Sequence, residues 1–310
     1  MKILVTGGAG FIGSHVVDAC LGAGHDVAVL DDLSTGHQHN LNPAARFHRV
    51  DVRDRAAVAA VLERERPEMI SHHAAQMDVR RSVADPVFDA QVNLIGLLNL
   101  LEEGRRCGLQ GVVFASSGGT VYGAEQRLPA SEDDPTAPIC PYGVSKLGSE
   151  RYLHYYGYVY GMRWVALRYG NVYGPRQDPR GEAGVVAIFA GQLLAGEQPV
   201  INGAGEQSRD YVYVGDVARA NLLALTADYR GPVNIGTGIE TDVNRLFHLL
   251  CDATGAHPPE RHGPAKIGEQ SRSVLDPSRA QAVLGWAPTV ALDSGLRHTV
   301  DHFRQPVAAS

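Results

Sequence analysis

Through its first half the chain alternates short runs of β-branched and aliphatic residues with longer stretches whose apolar positions recur at helical spacing. The runs KILVT (2–6), VAVL (27–30), FHRV (47–50), MISHH (69–73), GVVFAS (111–116) and RWVALR (163–168) read as strands. The patterns between them predict helices near 11–23, 54–65, 86–107 and 142–160. Apolar strands separated by helices require a parallel sheet with right-handed crossovers and both faces covered. The expected class is therefore α/β, a doubly wound Rossmann-type sheet. After Gly170 the alternation gives way to the Pro- and Gly-rich GPRQDPRGEAG, then a helix near 184–196 and strand character at 209–217 and 232–236. The expected organisation is a dinucleotide-binding lobe over 1–170 with 207–237 returning to it. Residues 171–206 and 238–304 would form a smaller α/β substrate lobe, and 305–310 a disordered tail. Ligands are expected between the lobes, at the carboxyl ends of the strands.

Composition narrows this picture without redirecting it. At 310 residues the chain is long for one core and suits two lobes. A content of 44% hydrophobic and 20% charged residues is ordinary for a soluble globular protein, and a net charge of −6 argues against a nucleic-acid or anionic-membrane surface. There is no apolar run of about eighteen residues, and the apolar start at 3–5 is too short for a secretory signal. Cys20, Cys107, Cys140 and Cys251 show no C-x-x-C spacing, which predicts reduced thiols in a cytoplasmic protein rather than disulfides or a zinc site. Asp18, His25 and Asp26 lack metal-ligand spacing, so no metal is expected. His72 and His73 read as packing or capping residues.

Two motifs carry chemistry. TGGAGFIG (6–13) follows a strand and opens a helix, with Gly7, Gly10 and Gly13 at the spacing of a dinucleotide fingerprint. Gly7 suits a tight turn, Gly10 a close approach to a pyrophosphate and Gly13 close helix–strand contact, with the diphosphate on the helix N-terminus. Asp31 ends the second strand, where a carboxylate accepts from ribose hydroxyls and repels a 2′-phosphate, favouring NAD over NADP. The candidate cofactor residues are Gly7, Gly10, Phe11, Ile12 and Gly13, then Asp31, Asp32, Leu33, Ser34, Thr35 and Gly36. Asp51 and Val52 follow the third strand, Asp51 toward the adenine amine; Ala74, Ala75 and Gln76 follow the fourth, under the nicotinamide ribose; Asn93 completes the set. The second motif is the Tyr142-x-x-x-Lys146 pair in PYGVSKLGSE, one turn apart on one helix face. A free tyrosine titrates near pH 10, so a base near neutrality needs a depression of roughly 3 units, about 4 kcal/mol. Lys146 and the positive nicotinamide ring of an oxidised cofactor are expected to supply it.

In their order along the chain, TGGAGFIG, HHAAQ, SSGGTVYG, YGVSK and RYGNVYGP resemble the extended short-chain dehydrogenases/reductases. The closest resemblance is to the NAD-dependent nucleotide-sugar epimerases of the UDP-glucose (UDP-galactose) 4-epimerase type, over nearly the whole chain to about Arg304. It implies transient oxidation at C4 of a UDP-hexose. Tyr142 takes the 4-hydroxyl proton, hydride passes to NAD, and the 4-keto sugar rotates before hydride returns to its other face. Lys146 would tune the base and hold the nicotinamide ribose, and Ser117 would hydrogen-bond the 4-hydroxyl. SSGGTVYG is one residue longer than the usual pattern, which leaves Ser116 in reserve. Related 4,6-dehydratases and decarboxylases carry an acid just after the equivalent Ser or Thr; here Gly118 and Gly119 stand there.

On the substrate side the resemblance implies that Asn171 and Arg209 hold the diphosphate, Gly184 and Val185 lie beside it, and Val200, Ile201 and Asn202 line the base. KIGE (266–269) departs from the usual Arg-Pro-Gly-acid turn, so either Lys266 or Arg272 would take the remaining diphosphate contact. Ser273, five residues on from Gly268, falls where members limited to plain hexoses carry a bulky Tyr, which implies activity on UDP-GlcNAc and UDP-GalNAc as well. Helix 86–107 spreads Val87, Phe88, Val92, Leu94, Ile95, Leu97, Leu98, Leu100 and Leu101 round most of its circumference, more than one buried face needs. With Leu147, Tyr152, Leu153, Tyr155 and Tyr156 on helix 142–160, the resemblance implies a four-helix homodimer interface. The open alternatives are a UDP-glucuronate 4-epimerase, an oxidoreductase that releases NADH, and a non-catalytic dinucleotide-binding regulator. The last class tends to lose the base or its lysine, and this chain keeps both.

Overall fold

The computed structural model describes residues 1–124, 127–179, 184–266 and 270–305. Residues 267–269 of the KIGE turn and the tail from 306 lie outside the described residues. The strands are β1 (Lys2–Thr6), β2 (Asp26–Asp31), β3 (Arg46–Arg49), β4 (Met69–His72), β5 (Gly111–Ser117), β6 (Arg163–Tyr169), β7 (Asn171–Tyr173), β8 (Ile201–Asn202), β9 (Ser208–Tyr213), β10 (Gly231–Ile235), β11 (Glu240–Asp242), β12 (His262–Gly263) and β13 (Arg272–Ser273).

Seven of them form one parallel sheet in the order β10-β6-β5-β4-β1-β2-β3. The near-continuous apolar runs follow from burial on both faces. Ile3, Val5, Val27, Val29, Val113 and Val165 pack on one side with Val16, Val17 and Val217. Leu4, Ala28, Leu30, Ile70, Val112 and Phe114 pack on the other with Val58, Leu62, Leu101 and Leu153. The strand order reverses between β1 and β4, and the crevice at that switch lies outside their carboxyl ends.

A second sheet has the order β11-β9-β13, with β7 also paired to β9. Its apolar cluster includes Tyr173, Val186, Phe189, Tyr211, Phe247 and Leu296. Here the expectation for 207–237 needs correction: β9 belongs to this second sheet, and of that segment β10 is the strand that joins the first. The alternation in RDYVYV marks a strand but says nothing of which sheet takes it. VGDV, expected to continue the strand, opens the helix Val214–Ala224. One residue, Gly170, separates β6 from β7 and so joins the two sheets. Buried Asp210 on β9 stitches the junction, accepting from the Thr237, Gly238 and Leu275 backbone amides.

The predicted helix 86–107 is composite. Asp85 caps Pro86–Ala90, a wider π-type turn follows over Gln91–Ile95, and the α-helix resumes over Gly96–Arg106. Such turns often mark functional sites. Helix Pro141–Tyr160 runs unbroken from a Pro at its start to Gly161 at φ 69°. No helix among the described residues is long and apolar enough to cross a membrane.

Candidate active site

At the switch point the glycine loop is packed to the limit. Gly7 has φ +68°, and a Cβ there would lie 2.6 Å from the Ala74 amide nitrogen, in the loop after β4. A Cβ on Gly13 would lie 2.1 Å from the Gly7 carbonyl oxygen. Gly10 precedes helix Phe11–Gly22, whose first amides carry no side-chain cap. The result is a glycine-lined cradle at a helix N-terminus, which fits a dinucleotide diphosphate.

Buried Asp31 closes this loop from β2. Its Oδ2 accepts from the Ala9 amide at 3.0 Å and its Oδ1 from the Leu33 amide at 2.8 Å. A carboxylate has about four lone-pair sites, so acceptor capacity remains for ribose hydroxyls. Burial pushes its carboxyl up, and both backbone donors oppose that shift. Asp32 accepts from the Ser34 amide, Gly36 packs against Asp31, and Ser34 and Thr35 are exposed. Two expectations fare differently. Asp51 is engaged by Arg53, with Nε at 2.9 Å, which holds its carboxyl below the usual range. Val52 lies in the core against Gly96, leaving its backbone as the contact surface.

Past β4, His72 shares a 2.6 Å hydrogen bond with Thr6 and His73 a 2.9 Å bond with Ser71, so both are packing residues. Ala74 and Ala75 follow. The Gln76 amide donates to Asn93 Oδ1 at 3.0 Å, and Asn93 Nδ2 returns a 2.9 Å bond to the Gln76 carbonyl. Asn93 sits in the π-type turn.

Tyr142 and Lys146 lie in the first turns of helix Pro141–Tyr160, over the end of β5. Buried Lys146 donates from Nζ to the Ala115 carbonyl at 2.8 Å and stands 5.5 Å from the Tyr142 ring centroid. Ser117 is the last residue of β5, whereas Ser116 is committed to Glu150 at 2.6 Å. Of the two serines left open by the spacing, this favours Ser117, whose hydroxyl stays outside that buried pair. Burial lowers Lys146 to about 8. The expected depression of Tyr142 does not arise within the chain: burial pushes the phenol up, and Asp89 and Cys140 push the same way. The reason is desolvation, which disfavours the phenolate more than a lysine at this distance favours it.

The substrate-side residues divide by sheet face. Register pairs Ser273 with Arg209 and Asn171 with Tyr211, so Asn171, Arg209 and Ser273 share one face of the second sheet. Arg272 falls on the opposite face and is ion-paired to Glu240 at 2.5 Å, lowering that carboxyl to about 2. That placement counts against Arg272 as the diphosphate contact; Lys266 is exposed. Gly184 precedes helix Val185–Leu194. Ile201 is fully buried in the second core, so its side chain cannot line the base, while Val200 is exposed and Asn202 half-buried. Residues 175–178 clasp the first helix and the loop after β2: His15 meets the Pro175 carbonyl at 2.9 Å, Arg176 pairs with Asp18 at 2.8 Å, and His37 with Asp178 at 3.5 Å.

Asp89 and Ser145 are absent from the residues that motif and spacing single out. Both are buried, and Ser145 donates to Asp89 at 2.6 Å. The available signal was a lone acid among the apolar positions of VFDAQVNLIGLL.

A family model described as the NAD dependent epimerase/dehydratase family matches residues 3–236. A UDP-glucose 4-epimerase of Mycolicibacterium smegmatis is 46% identical, over 98% of this chain and 99% of that protein. The crystal structure of UDP-glucose 4-epimerase with UDP-glucose from Thermotoga maritima superposes with a TM-score of 0.96 at 47% identity, covering 98% of this chain and 99% of that one. The Thermus thermophilus UDP-glucose 4-epimerase complex with NAD gives a TM-score of 0.94 at 48% identity, covering 99% and 100%. The chain belongs to the NAD dependent epimerase/dehydratase family.

Proposed function

We propose that the protein interconverts UDP-glucose and UDP-galactose at C4 through a transient 4-keto sugar, and that it accepts the N-acetylated pair as well. The glycine loop, Asp31 and the 74–76 loop would hold NAD, which would supply a hydride acceptor and donor at C4. Tyr142 takes the 4-hydroxyl proton and gives it back, Ser117 orients that hydroxyl, and Lys146 supplies positive charge beside the phenol. Asn171 and Arg209 hold the diphosphate from the second sheet.

The observation that carries this reading is the pair of glycines after Ser117. Dehydration needs an acid there to protonate the leaving hydroxyl. Gly118, packed against the Leu275 side chain, and Gly119, which faces open space, carry no side chain and so offer no acid. A base and a cofactor without such an acid can oxidise and re-reduce one carbon. The relatives named above are UDP-glucose 4-epimerases.

The test is to incubate purified, NAD-loaded protein with UDP-glucose, UDP-GlcNAc and UDP-glucuronate in parallel and separate the epimers. Conversion of UDP-glucose is expected; conversion of UDP-glucuronate alone would move the assignment to that sugar. The protein acts as a homodimer in the cytoplasm under this reading, its four cysteines being free thiols. The exposed apolar residues of the paired helices support the dimer: Val87 is 65% exposed, Val144 54% and Tyr158 86%.

A further inference from the structure

Fully buried Asp89 accepts three hydrogen bonds: from Gln76 Nε2 and Asn93 Nδ2, both at 3.0 Å, and from Ser145 Oγ at 2.6 Å. Ser145 lies between Tyr142 and Lys146 on their helix, and Gln76 belongs to the loop that touches Gly7 through Ala74. Ser149, one turn further on, donates to the Asn93 carbonyl at 3.2 Å and makes a second rivet on the same face.

All three donors to Asp89 are neutral, and among the described residues no Arg or Lys forms an ion pair with it. Carboxylates buried this deeply ordinarily recruit a cation. Glu150, one turn beyond Lys146, does so with Arg168 at 2.6 Å.

We propose that Asp89 is a positioning residue for the base. Its carboxylate fastens the helix of Tyr142 and Lys146 to the loop beneath the cofactor crevice, and its buried charge makes proton release by Tyr142 depend on positive charge arriving beside the phenol. The inference rests on the C4-epimerase reading and deepens it. The charged and titratable groups around Tyr142 are few. Lys146 and Cys140 lie on its own helix segment, and Asp89 faces it from Pro86–Ala90. His72 and His73 at the end of β4 are held neutral by burial and by Lys146, His73 at about 3. Glu150 is neutralised by Arg168. Asp89 is thus the acid of this set held by neutral donors instead of an ion pair; it favours the charged form of Lys146 and raises the proton affinity of Tyr142. A positive ring beside Tyr142 would favour release of its proton, and loss of that charge would raise its proton affinity, which would suit a base that must keep the proton it takes as the 4-hydroxyl is oxidised.

The test is ultraviolet difference titration of the Tyr142 phenolate in NAD-loaded protein, with Tyr142→Phe as the blank. Asp89→Asn keeps size and an acceptor oxygen but removes the charge. Its midpoint should fall by about one unit at unchanged NAD content, and the acid limb of kcat should move the same way. A midpoint within about 0.3 unit of wild type in folded, NAD-loaded protein overturns the proposal. Should Asp89→Asn not fold, Ser145→Ala answers the question: one carboxylate oxygen loses its donor, so the midpoint should rise, and an unmoved midpoint again overturns it. The titration needs no substrate. A shifted midpoint in a protein inactive on every UDP-hexose would therefore sink the epimerase reading and leave this one standing.

Discussion

Lys146 Nζ donates to the Ala115 carbonyl at 2.8 Å and stands 5.5 Å from the centroid of the Tyr142 ring. The lysine is therefore anchored to the strand that ends in Ser117 and stands off the phenol ring without a hydrogen bond to it. Removing the ionisable oxygen while keeping the ring tests the base directly. Tyr142→Phe should fold, retain NAD and lose on the order of 10²-fold or more in kcat, the scale of general base catalysis. Most of the activity surviving in steady-state assays would remove Tyr142 from the role.

The same lysine is a stability liability. Its folded value of about 8 lies below the free value of 10.5, so holding it charged costs up to roughly 3 kcal/mol below pH 8. Because the folded value is depressed, the cost is complete below about pH 8 and fades as pH rises toward 10.5. Lys146→Met, stripped of NAD, should therefore unfold at higher urea concentration than wild type at pH 7, with the gap closing by about pH 10. Activity should fall roughly 10²-fold. A variant less stable than wild type at pH 7 would contradict this account.

Ser273 lies beside Arg209 in register and is buried, a small residue where the sugar end of the substrate is proposed to sit. Ser273→Tyr should cut turnover of UDP-GlcNAc and UDP-GalNAc by about tenfold or more and spare the plain pair. Equal losses on both pairs would show that Ser273 is not the gate.

Val144 and Val87 stand exposed on the two helices proposed to pair across a two-fold axis. Light scattering at micromolar protein should give twice the mass of the 33.2 kDa chain, and Val144→Glu should give a monomer. A wild-type monomer under these conditions would refute the dimer.

The cofactor cradle was legible because glycine spacing, a preceding strand and a following helix are all local, and the Tyr142–Lys146 pair because one helical turn fixes it. The features that escaped depend on contacts between distant segments. Asp89 is identified by partners 13 and 56 residues away, which no periodicity marks. Arg272 and Ser273 are neighbours in sequence, and only the pairing of β13 with β9 shows which of them turns toward Arg209. The motif also leaves out desolvation, which within the chain alone raises the proton affinity of Tyr142 and leaves its depression to the cofactor's charge.

Gly170 is the whole connection between β6 and β7, and a Cβ there would lie 2.8 Å from the Asp210 carbonyl oxygen. At this crossing the two sheets are one residue apart, and the buried Asp210 carboxylate pins the second crossing, after β10, through the Thr237 and Gly238 amides. A chamber bounded by them is expected to change little in size through a catalytic cycle. A sugar that must present both faces to the same reducing position has to swivel on its own bonds to the diphosphate. The range of hexoses processed is then expected to follow turning radius, with Ser273 the proposed limit on the swept space.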